Sequence, residues 1–133
     1  MIPVPVRSAS DFETALESVR QERPDGLFVH PDVLLFRQRA RIAEFALKHR
    51  LPSIDPFREF VDAGGLMSYG VSLVDMSRRA AELTDRVFKG ARAGDLPIEQ
   101  STRFYLTINL KTAKAFGLTI PPSILLRADQ VIE

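Results

Sequence analysis

Residues 24–56, PDGLFVHPDVLLFRQRARIAEFALKHRLPSIDP, decide the fold. Pro24-Asp25-Gly26 is a turn signal. Leu27-Phe28-Val29 is a continuous apolar run, the pattern of a strand covered on both faces. A helix is predicted from about Val33 to Arg50. Its inner stripe is Leu35, Ile42, Ala43, Ala46 and Leu47, and its outer face is basic, with Arg37, Arg39, Arg41, Lys48 and Arg50. Leu51-Pro52-Ser53-Ile54 then offers a second short strand. Strand, helix and strand in this order make a right-handed crossover between parallel strands.

The same alternation extends outward. Upstream, Val4 to Arg7 is a short β-type run. Ser10 and Glu13 have capping-box spacing, and Phe12, Ala15, Leu16 and Val19 follow at helical spacing. Downstream, Phe57 to Val61 forms a helical turn that Ala63-Gly64-Gly65 breaks, and Leu66 to Tyr69 is a strand. Ser72, with Asp75 three residues on, caps a helix expected to carry Leu73, Met76, Ala80, Leu83 and Val87 inward, with Gly90 at its C′ position. Gly94 to Pro97 is a loop. Phe104, Leu106 and Ile108 alternate with Arg103, Tyr105, Thr107 and Asn109, the pattern of a half-buried strand. A short helix from Lys111 to Phe116 stops at Gly117. The tail carries Pro121-Pro122 and a last apolar cluster, Leu125, Leu126, Val131 and Ile132. The order β-α-β-α-β-(turn)-β-α-β-α predicts an α/β fold, a Rossmann-like three-layer lobe with a mainly parallel sheet.

With 133 residues the chain is expected to form a single domain, residues 1–133. A net charge of +1 gives no general attraction to nucleic acid or to a membrane surface. There is no cysteine, which removes disulfides and thiolate metal sites. Apolar runs are short, so no segment is expected to insert in a bilayer. The opening MIPVPVRSASDFE has no basic segment followed by an apolar run. As written it lacks a secretory signal and reads as cytoplasmic.

Three stretches carry a family resemblance: LPSIDPFREFVDAGGLMSYG (51–70), SLVDMSRRAAELTDRVFKGARAGDLPIEQ (72–100) and FYLTINLKTAKAFGLTIPPSILLRADQVIE (104–133). Read in order, with residues 23–50 also fitting, they resemble the C-terminal part of ABC-transporter substrate-binding proteins of the tryptophan/tyrosine-binding type. The resemblance implies a type I periplasmic binding fold, two Rossmann-like lobes closing on a ligand. It implies that residues 1–66 form the core of the second lobe. Residues 67–133 are then segments that cross back toward the first lobe and the hinge. It also implies a periplasmic location, and an ABC permease as partner if the chain is part of a complete protein.

In open α/β sheets, ligands lie beyond the carboxyl ends of the strands. Those ends are here His30-Pro31-Asp32, Asp55-Pro56-Phe57 and Ser68-Tyr69-Gly70. Asp32 and Asp55 could accept hydrogen bonds from a ligand amine, and Phe57 and Tyr69 could flank an apolar or aromatic group. The resemblance implies ligand contacts in these loops, carried over to Asp32, Asp55, Phe57, Ser68 and Tyr69. Each has another account. Asp32 suits the N-cap of the following helix, Asp55-Pro56 is a common turn pair, and Tyr69 suits a core aromatic with its hydroxyl at the surface.

Catalytic constellations are missing. There is no Gly-x-Ser-x-Gly elbow, no P-loop or dinucleotide pattern around Gly64-Gly65, and no His pair at metal spacing, since His30 and His49 stand apart. The expectation is a small-molecule binding protein, not an enzyme, with no cofactor or metal. Segments that pack on a first lobe would expose apolar surface in this chain by itself. A homodimer is therefore expected, with the C-terminal helix and strand as candidates for exchange. The competing function is a truncated relative acting as a dimeric interaction module without transport activity.

Overall fold

The computed structural model describes residues 1–133. One five-stranded sheet runs in the order β1-β2-β3-β4-β5, from β1 (Leu27–Phe28) and β2 (Ser53–Asp55) through β3 (Met67–Gly70) and β4 (Tyr105–Asn109) to β5 (Gln130–Ile132). Pairs β1–β2, β2–β3 and β4–β5 are parallel, and β3–β4 is antiparallel. The helices are α1 (Phe12–Glu22), α2 (Val33–Arg37), α3 (Arg39–Lys48), α4 (Arg58–Asp62), α5 (Leu73–Phe88), α6 (Leu110–Phe116) and α7 (Pro122–Leu125). The mainly parallel α/β architecture is the one expected from the alternation of patterns.

The core gathers around the first crossover. Phe12 of α1, Val29 after β1, Ile42 and Ala43 of α3, and Phe60 of α4 form one buried cluster, with Val6, Leu16, Leu27 and Leu35 packed on its rim. Burial of a Phe or Ile side chain contributes about 1.5–3 kcal/mol each. Gly65 lies so close to Phe60 that an added Cβ would fall 2.2 Å from its ring. The chain after α4 therefore wraps directly over the core phenylalanine.

Register sorts the two sheet faces, because paired residues project to the same side. One row reads Phe28, Ile54, Met67, Ile108 and Val131 across all five strands. The other face carries a polar row, Asp55, Ser68, Thr107 and Gln130.

Several local expectations are corrected. Val4 to Arg7 is not a strand: Pro3 and Pro5 lack N–H donors, no strand pairs with the segment, and Val6 joins the core instead. The first box closes two residues earlier than expected, with Asp11 Oδ2 accepting the Ser8 N–H at 3.0 Å. The long second helix is two helices, turning at Gln38 (φ −94°, ψ 7°), and Leu47 is exposed rather than inside. Strand β1 is a sheet edge, so Phe28 is 56% exposed instead of covered. Strand β4 is buried on both faces at its end, with Thr107, Ile108 and Asn109 all inside, while Phe104 is exposed. The tail adds an unexpected strand, β5, because the closing apolar cluster finds β4 as a parallel partner.

Helix α5 forms as its cap predicts. Ser72 Oγ accepts the Asp75 N–H at 3.1 Å, and Gly90 follows in the left-handed region (φ 99°). Its stripe does not face inward. None of its residues is buried, Leu73 and Leu83 are half-covered, and Phe88 at its end is 84% exposed. Polar ties anchor it instead. Tyr105 donates its hydroxyl hydrogen to Asp75 at 2.7 Å, and Arg79 pairs with Glu82 and Glu99.

At the carboxyl end of β3, an added Cβ on Gly70 would lie 2.2 Å from the Pro56 carbonyl oxygen. Backbone cannot yield there as a flexible side chain can. Gly70→Ala is therefore expected to lower stability by about 1–3 kcal/mol, measured by urea denaturation. An unchanged midpoint would show that the Pro56 loop relaxes freely.

Candidate functional site

The parallel register of β1, β2 and β3 brings their carboxyl ends side by side, and the loops that follow hold the expected residues. Asp32 serves as the N-cap of α2: its Oδ1 accepts the Leu34 N–H at 2.7 Å and the Leu35 N–H at 3.2 Å. The capping account is thus realised for an exposed residue. His30 is exposed beside it.

Asp55 is different. It ends β2, it is 3% exposed, and no cation lies within ion-pair distance. Its Oδ1 accepts the Phe57 N–H at 2.6 Å across Pro56. Burial pushes its pKa up to about 6; the Phe57 N–H opposes that rise and Glu59 adds to it. Of the chain's 17 Asp and Glu residues, it alone is buried.

Ser68 stands next to Asp55 in the register and Thr107 next to Ser68, both buried on that face. Alternation sends Tyr69 to the other face, where it is exposed and stacks on Phe104 with ring centroids 5.7 Å apart. Phe57 meets Phe36 of α2 edge-on, at 5.6 Å and 89°. The structure therefore brings together Asp55, Ser68 and Phe57, leaves Asp32 at the rim as a cap, and places Tyr69 behind the strand.

Sequence reading missed Phe36, Arg39 and Thr107. Phe36 and Arg39 were absorbed into one long helix and its outer face, and Thr107 into the solvent side of an alternating strand. The available signal for the first two was the aromatic at Phe36, three residues before an arginine and soon after a strand end. Thr107 had no local signal, since its burial depends on β5.

Chemically, the site offers one desolvated carboxylate, two hydroxyls and an aromatic pair. No group of three or more His, Asp or Glu side chains could hold a metal ion. No helix is long and apolar enough to cross a membrane. A shallow groove between the ends of α1 and α3, lined by Arg20, Phe45, His49 and Leu51, lies at the opposite, amino-terminal end of the strands.

With this geometry in view, comparisons with known proteins are specific. The family model of ABC transporter substrate binding proteins matches residues 1–132, and the chain belongs to that family. It is 25% identical over 113 residues to a tyrosine-binding protein of Clostridioides difficile (strain R20291), covering 85% of this chain and 32% of that protein. Among solved structures, it superposes on a Streptococcus pneumoniae ABC domain in complex with L-Trp with a TM-score of 0.87 at 26% identity, over 97% of this chain and 44% of that one. A conserved domain protein of Vibrio cholerae gives a TM-score of 0.86 at 21% identity, over 95% and 42%, a likeness of fold. The chain thus spans less than half the length of each of these relatives.

Asp55 gives a pH test. Its folded pKa lies above the unfolded value, so the folded state holds the proton more tightly. Stability is then highest below about pH 4 for this group, falls as pH rises toward about 6, and stays lower above that. The loss at neutral pH is on the order of 2–3 kcal/mol. Asp55→Asn keeps the acceptor for Phe57 and removes the charge. It is expected to raise the melting temperature at pH 7.5 and to remove Asp55's share of the stability difference between pH 4 and pH 7.5. A variant less stable than wild type at pH 7.5 would contradict the assignment.

Proposed function

We propose that this chain supplies the ligand-gripping lobe of a solute-binding protein that delivers an aromatic amino acid to an ABC permease, on the outer side of the membrane. The single observation that carries this is Asp55, a buried carboxylate without a cation at the end of a parallel strand, with Phe57 and Phe36 beside it. A ligand ammonium provides the missing charge, and the aromatic pair provides a surface for a ring. Ser68 offers a hydroxyl from the neighbouring strand. Asp32 retains Oδ2 at the rim, and Tyr69 flanks the far side of β3. The relatives support the class of ligand, since one is named for tyrosine and another is complexed with L-Trp. The fold and residues support binding.

The uncovered stripe of α5 supports a second reading, in which copies of the chain associate through it as a dimeric interaction module without transport activity. The readings are separable. For the first, L-tryptophan or L-tyrosine added to ¹⁵N-labelled protein should shift the amides of Phe57, Ser68 and the Asp32 loop, while L-alanine should not. Affinity is expected in the millimolar range, about 4 kcal/mol, because one lobe makes only part of the contacts. No shift with either aromatic ligand at millimolar concentration would remove this reading. For the second, sedimentation at micromolar concentration should show a dimer that Met76→Asp, at an exposed position of the stripe, converts to monomer, and a monomeric wild-type chain would remove it.

A further inference from the structure

Arg39 is the only one of the chain's 18 Lys and Arg residues that is not exposed. It makes no ion pair. Arg20, Arg41, Arg58, Arg78, Arg79 and Arg92 all pair with carboxylates at the surface, where pairing contributes little. The one cation that the fold half-buries is also one left without a counter-charge beside it.

Its setting is built. Arg39 opens α3 just past the turn at Gln38. Its Nη1 donates to the Phe36 carbonyl oxygen at 3.0 Å, and the guanidinium carbon lies 4.7 Å from the centre of the Phe36 ring. The hydrogen bond and the cation–π contact fix the plane of the fork and leave Nε and Nη2 to donate. That is the arrangement a carboxylate meets bidentately. Phe36 meets Phe57 edge-on, and the Phe57 N–H is bound to Asp55. Asp55 and Arg39 therefore flank one aromatic pair, with opposite charges that form an ion pair neither with each other nor with any other side chain.

We propose that Arg39 is the carboxylate anchor of the strand-end site, and that the site selects zwitterionic aromatic α-amino acids. Asp55 takes the ammonium, Arg39 takes the carboxylate, and the ligand ring lies against Phe36 and Phe57. This rests on the reading of the strand ends as an aromatic amino acid site, and it adds what that reading lacks, a reason for both charges of the ligand to be required. Amines and acids that carry only one of the two charges leave one of these two side chains uncompensated.

The test uses the full chain and three probes: L-tryptophan, tryptamine, which lacks the carboxylate, and indole-3-propionate, which lacks the ammonium. Binding is followed by amide shifts at Phe57 and Ser68. Wild type is expected to bind L-tryptophan about tenfold more tightly than either analogue, the effect of one charge-assisted contact. Arg39→Gln should lower L-tryptophan affinity to that of tryptamine and leave tryptamine unchanged. Asp55→Asn should do the same relative to indole-3-propionate. Arg39→Lys keeps the charge but not the fork. It should retain part of the preference, and it serves as the test should Arg39→Gln fail to fold. A ratio of L-tryptophan to tryptamine affinity unchanged in Arg39→Gln, or in a sole surviving Arg39→Lys, overturns the role of Arg39 while leaving the site standing. Failure of all three probes to shift any strand-end amide in wild type overturns the site reading and this assignment together.

Discussion

A carboxylate without a counter-ion sits at the end of the second strand, and the surrounding structure is organised about it. Asp55 is buried by the crossover that places α3 and α4 over the core. It is restrained by one N–H bond across Pro56, and flanked by Ser68 through strand register. An isolated charge in such a place weakens the fold. Proteins retain that kind of cost where binding uses it, and the parallel sheet supplies the reason for its position. Three strand ends converge there, with loops free to vary above a rigid base.

The same sheet explains why the chain is lopsided. Helices α1, α3 and α4 share a cluster with Val29, and that region resembles a finished domain core. Helix α5 has an apolar stripe with no buried residue, and the apolar row across the sheet ends at an exposed Phe28. Both features agree with a chain that spans less than half of its relatives' length.

Much of this was legible in the sequence, for local reasons. The Asp32 and Ser72 caps need only a side chain and its own helix. The break at Gly64-Gly65 and the stop at Gly117 are backbone properties of glycine, and Gly64 and Gly117 do adopt positive φ. The strand-end location of Asp55 and Phe57 followed from the order of elements. What was hidden depends on partners distant in sequence. Strand β5 exists because β4 lies beside it. Thr107 and Asn109 are buried because β5 and α6 flank them, and no residue of α5 is buried because only polar ties from distant segments hold it. Arg39 was hidden because it was counted onto the outer face, whereas just past the turn at Gln38 it is half-buried over the ring of Phe36, three residues back. Periodicity cannot register a turn made without glycine or proline.

The most direct measurement is the carboxyl titration of Asp55, followed by ¹³C NMR with and without saturating L-tryptophan. In the free protein the pKa should stand near 6. With the ligand ammonium beside the carboxylate it should fall toward the ordinary aspartate range, near 4. A pKa already near 4 in the free protein, or one that L-tryptophan leaves unmoved, would contradict the account.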